Sequence, residues 1–117
     1  MLCGTTVSEG GALCAACWDR LTFLGPPICN RCGYPFEFEV PKETLCAACQ
    51  RRAPRFDRAR AVFVYDDVSR ALVLSFKHAD QTHQAPAFGR WLARAGATLL
   101  SDADLLVPVP LHRWRLL

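Results

Sequence analysis

The polar and apolar positions change rhythm along the chain. Up to about residue 52, short apolar words are interrupted by Gly, Pro and Cys, and little regular structure is expected. Beyond that the pattern becomes regular. Ala61-Val62-Phe63-Val64-Tyr65 is β-branched and aromatic, closes on Asp66-Asp67 and predicts a strand. Ala71, Leu72, Val73, Leu74 and Phe76 then give an apolar face to a helix running through about Lys77, with Asp67 or Ser69 as its cap. Gln81 to Ala85 is a polar loop. Pro86 suits a helix start, and Phe88, Trp91, Leu92, Ala95, Leu99 and Leu100 recur at helical spacing up to Ser101-Asp102. Leu105-Leu106-Val107 is apolar at every position, as in a strand covered on both faces, and Pro108-Val109-Pro110 ends it. Strand, helix, helix, strand is a crossover, the opening of an α/β sheet.

Composition narrows the class. With 51% apolar residues, 21% charged residues and a net charge of +3 over 117 residues, the chain is a soluble globular protein, not a disordered or collagen-like one. No run approaches the roughly 20 apolar residues of a membrane span, and Met1 to Gly11 lacks the basic start and apolar stretch of a secretory signal. A cytoplasmic address is expected. That address disfavours structural disulfides, and the seven cysteines, an odd count confined to Cys3 through Cys49, point to metal ligation.

The word Leu-Cys-Ala-Ala-Cys occurs twice, at 13–17 and 45–49. Cys29-Asn30-Arg31-Cys32-Gly33 precedes the second copy, so two C-x-x-C turns face each other across a loop. Each such turn puts both sulfurs on one side, about 2.3 Å from a shared zinc ion, and two turns complete a tetrahedron. Gly33 is expected at positive φ, where the chain turns sharply after the second sulfur. Cys3-Gly4 aligns with Cys32-Gly33, and Cys14 and Cys17 align with Cys46 and Cys49. The counterpart of Cys29 would fall one residue before Met1, so the first site is expected to hold three of its four ligands in this chain. The expected organisation is a double zinc ribbon at 1–52, a basic linker at 53–60 and the start of an α/β domain at 61–117. Both zinc ions would be structural: an all-thiolate site leaves no open position for activating water, and roughly fifty residues need metal in place of a core.

Other uses of these residues carry less weight. A dithiol redox role needs C-x-x-C at a helix start after a strand, with one activated thiol, and iron-sulfur proteins prefer clustered spacing. His78 and His83 have the spacing of a finger's histidine pair, but Cys49 is too distant, so they read as polar residues around a helix end. Arg51, Arg52, Arg55, Arg58 and Arg60 face a single acid, Asp57, in the connector. A solvated linker is the plain reading and phosphate contact the alternative.

Together the cysteine pairs with Cys17-Trp18 and Cys32-Gly33-Tyr34-Pro35, then Phe56-Asp57, Ala59 to Tyr65, Leu72 to Lys77 and Asp104 to Leu111, resemble the ComF family over essentially the whole chain. Its members are competence-associated proteins that join a double zinc ribbon to a type I phosphoribosyltransferase domain. The resemblance implies that Pro108, Val109, Pro110 and Leu111 end the first core strand and begin the loop that meets pyrophosphate. It also implies a role in DNA uptake, with a competence helicase and single-stranded DNA as partners, or in nutrient utilisation for some members. The family's Arg-Gly-Phe-Asn segment and its acidic, Thr/Gly-rich loop for phosphoribosyl pyrophosphate do not occur here, so no active transferase is expected from this chain alone. Val62 to Ser69 has the strand and the two acids of that loop, but Arg70, Ala71 and Leu72 offer bulk where a phosphate needs converging amides. The exposed apolar cut at Trp114, Leu116 and Leu117 predicts poor solubility. A free-standing zinc-ribbon adaptor for nucleic acid or protein is the alternative from another class.

Overall fold

The computed structural model describes residues 3, 5, 7, 8, 12–78 and 82–109. Five helices organise them: α1 (Ala15–Trp18), α2 (Ala47–Arg51), α3 (Asp67–His78), α4 (Ala85–Ala95) and α5 (Ala97–Leu100), with a 3-10 turn at Thr82–Gln84 leading into α4.

The two copies of the repeated word fold alike. Cys14 and Cys46 are both extended, with φ of −68° and −70° and ψ of 158° in each, and a one-turn helix follows. The second cysteine of each word, Cys17 or Cys49, is buried within that helix. Between the copies, Ile28 and Pro35 bridge in antiparallel fashion around the turn that contains Cys29 and Cys32. The Cys29 amide donates to the Tyr34 carbonyl at 2.7 Å, and the Gly33 amide to the Cys29 carbonyl at 3.0 Å. Gly33 has the anticipated positive φ, 75°, and a Cβ there would meet the Ala59 carbonyl oxygen at 3.0 Å.

The anticipated strand at 61–65 is reduced to a single bridge between Phe63 and Phe23. The Leu24 amide donates to Val62 and the Val64 amide to Thr22, both at 2.9 Å. Extension is blocked because Pro26 and Pro27, just beyond Leu24, have no amide hydrogen to continue a ladder. Leu105-Leu106-Val107 departs from expectation more completely. It is not a strand covered on both faces: the three residues are 71–77% exposed, and no extended segment among the described residues pairs with them. The described residues therefore form no sheet, and of the anticipated strand, helix, helix, strand order they contain only the helices.

Those helices lie close to where periodicity puts them. Leu72 and Ser69 are buried on α3 and Ala87 on α4, with Gln84 buried just before it. The α3 cap is Asp66, not Asp67: the Ser69 amide donates to Asp66 Oδ1 and the Asp66 amide to Ser69 Oγ, each at 2.8 Å, so both residues close a capping box. Pro86 occupies the first turn of α4 as expected. The helix ends at Ala95 instead of running to Leu100, because Gly96 interrupts it before α5. His78 closes α3 and His83 lies in the turn before α4.

An aromatic stack joins the two regions. Trp18 lies on Phe23 with ring centroids 4.4 Å apart, Trp91 meets Phe23 at 5.8 Å and Phe88 at 5.3 Å, and Phe88 stacks on Phe76 at 4.6 Å. The cysteine-rich segment and the helical segment thus share a core.

Candidate metal centre

Cys29 and Cys32 come from the turn closed by Gly33, Cys46 and Cys49 from the start of α2. The Asn30 amide donates to the Thr44 carbonyl at 2.9 Å and draws the two turns together. The four sulfurs lie within 4.8 Å of one another, and Cys32 Sγ is 3.6 Å from Cys46 Sγ. Tetrahedral ligation at a Zn–S distance of about 2.3 Å requires sulfurs about 3.8 Å apart, so this set fits zinc. The amide of Cys46 donates to Cys29 Sγ at 3.2 Å, the kind of outer contact that steadies a thiolate. Cys29 and Cys49 are buried, Cys32 and Cys46 half-buried.

Cys3, Cys14 and Cys17 form a second group within the same 4.8 Å limit, with Cys3 Sγ 3.3 Å from Cys14 Sγ. Here Cys17 is buried but Cys3 is exposed, and Thr5 Oγ1 lies 3.1 Å from the Cys3 sulfur. Three sulfurs on one side match the zinc donor set with one position left to another ligand.

The acidities of these thiols fit metal ligation. Burial pushes Cys29 up, but the amides of Cys46, Cys32 and Arg31 outweigh it and bring the thiol down to about 6. Burial, reinforced by Cys32, Cys46 and Cys29, pushes Cys49 up to about 12, and burial also raises Cys32. In the first group, hydrogen bonds from Thr5 bring Cys3 down to about 6, while Cys3 and then Cys14 push Cys17 up to about 11. Crowded sulfurs share protons in this way, and a dication is what permits all of them to ionise together.

Residues 1–50 match the family model of the double zinc ribbon domain. No curated protein and no solved structure matches the chain. All seven cysteines anticipated as ligands thus fall within the ribbon match and in the two thiol groups. Pro108 and Val109 are exposed and belong to no helix or bridge, and Pro110 and Leu111 lie outside the described residues. No described helix is long and apolar enough to cross a membrane.

The basic connector divides in two. Arg51, Arg52 and Arg55 are exposed, as a solvated linker would be. Its end is docked on the double zinc ribbon, where the Ala59 amide donates to the Arg31 carbonyl at 2.7 Å and Arg60 Nη1 donates to the Asn30 carbonyl at 3.1 Å, while Arg58 pairs with Asp102 just beyond α5. Sequence reading missed this docking and the aromatic stack. Trp18, Phe23 and Trp91 carried no local signal of their mutual contact, because it joins Trp91 to residues far from it in the sequence.

Proposed function

We propose that this chain is the amino-terminal, zinc-scaffolded portion of a cytoplasmic ComF-like protein, related to the phosphoribosyltransferase-type proteins of competence and DNA uptake. Its part is to hold a surface in place, not to catalyse. The observation that carries this reading is the closed set of four sulfurs at Cys29, Cys32, Cys46 and Cys49, which leaves a bound zinc no position for water or substrate. When bound there, zinc supplies structure: it ties the Gly33 turn to α2, and Arg60 and Ala59 then pack on that turn.

The ComF relation is supported by residues beyond the match to the double zinc ribbon, namely Phe56-Asp57, Ala59 to Tyr65, Leu72 to Lys77 and Asp104 to Leu111. On this reading Pro108, Val109, Pro110 and Leu111 begin the pyrophosphate loop, phosphoribosyl pyrophosphate is taken by later motifs of a full-length protein, and a competence helicase and single-stranded DNA are the partners. A free-standing adaptor is the second reading, favoured by the exposure of Arg51 at the end of α2 and of Arg52 and Arg55 after it.

Metal analysis with thiol titration tests the scaffold. Two zinc ions per chain are expected, with one lost in Cys29→Ser, and no pyrophosphate release from phosphoribosyl pyrophosphate. A metal-free protein that cycles its thiols would instead be an oxidoreductase. Disrupting the gene in its host separates the other two readings: the ComF relation requires loss of transformation by added DNA.

A further inference from the structure

A groove of about 940 Å³ runs between the ribbon and the helices, in the size range of small-molecule sites. One part of its lining is aromatic, Trp18, Phe23 and Trp91, and Trp18 remains 44% exposed although it stacks on Phe23. Another part is cationic, with Lys42, Arg58, Arg60 and Arg94 against a single lining acid, Glu39. These cations differ in availability. Arg60 is committed to the Asn30 and Ala59 carbonyls and Arg58 to Asp102, whereas Lys42 and Arg94 have no ion-pair partner among the described residues.

Exposed indole beside unpaired cations calls for a ligand with two properties at once, a flat ring to stack and an anionic group to pair. We propose that this groove binds a nucleoside phosphate, its base against the Trp18 and Trp91 side and its phosphate held by Lys42 and Arg94. A simple apolar ligand would leave the two cations without an ion partner, and a bare anion would leave the indoles in water. The inference rests on the zinc-scaffold reading, because Lys42 belongs to the loop between Cys32 and Cys46 and is held where it is by that metal site.

The test uses the full zinc-loaded chain carrying Trp114→Phe, so that fluorescence reports on Trp18 and Trp91. Adenosine monophosphate should quench the emission saturably. Lys42→Ala/Arg94→Ala should bind it about tenfold or more weakly, as expected for lost hydrogen bonds to a charged group. Adenosine should keep only weak binding, indifferent to salt. Zinc content is measured on the same samples: zinc retained with no quenching, quenching unchanged in the double variant, or binding of a thymidine oligomer but not of the mononucleotide each overturns the nucleotide site and leaves the scaffold standing. Absence of zinc from the parent chain overturns the scaffold itself.

Discussion

Gly33 is held by two demands on one residue: φ of 75°, and an Ala59 carbonyl oxygen 3.0 Å from where a Cβ would sit. Alanine meets neither, and the left-handed backbone alone costs about 1–2 kcal/mol. Gly33→Ala should therefore lower the unfolding free energy of the zinc-loaded protein by at least that amount in a denaturant titration. Asp66 makes a different kind of contribution. Hydrogen bonds from Ser69 hold its carboxyl below the ordinary 3.8. Because its folded value is depressed, the stabilisation is complete above the unfolded value near 4 and disappears as pH falls through the folded one. Asp66→Ala should lower the thermal midpoint by about 5 °C at neutral pH. The gap between variant and parent should narrow below about pH 4, and a gap independent of pH would mean that the carboxylate charge contributes nothing.

The repeated elements were legible because their chemistry is local. Two thiols and two alanines in five residues specify an extended cysteine followed by one helical turn, and Gly33 advertises its own φ. Helices α3 and α4 were legible too, since Leu72 and Phe76 on the one and Phe88, Trp91, Leu92 and Ala95 on the other recur at helical spacing. The strands were not, because a strand exists only through its neighbour: Val62 to Val64 finds just Thr22 to Leu24 before Pro26, and Leu105 to Val107 finds none among the described residues. The thiol groups also make a quantitative prediction. Near neutral pH Cys29 is ionised without metal while burial keeps Cys32 and Cys49 protonated, so zinc must displace at least two protons from this site. Its affinity, measured against a competing chelator, should fall at least about a hundredfold as pH drops from 8 to 7. In the first group the exposure of Cys3 predicts faster loss to chelator than from the buried sulfurs of the second.

At the scale of the molecule, metal and aromatic packing act in series. Zinc would fix the Cys14 to Cys17 turn, that turn presents Trp18, Trp18 lies on Phe23, and Phe23 meets both Phe63 and Trp91. The six rings from Trp18 to Phe76 therefore convey the state of the metal sites to helices that hold no ligand. Each aromatic pair adds about 0.5–1.5 kcal/mol beyond its buried area, and Trp91 takes part in three of them, with Trp18, Phe23 and Phe88. Removing zinc from the intact chain should consequently melt α3 and α4 in the same transition that frees the thiols, seen as coincident loss of helical circular dichroism and gain of thiol reactivity. Trp91→Ala should separate the two events, leaving the zinc ribbon folded and metal-bound while the helical signal falls at lower temperature. If helix and thiol signals stayed coincident in that variant, the joint would lie in the docking of Ala59 and Arg60 on the Gly33 turn instead of in the ring stack.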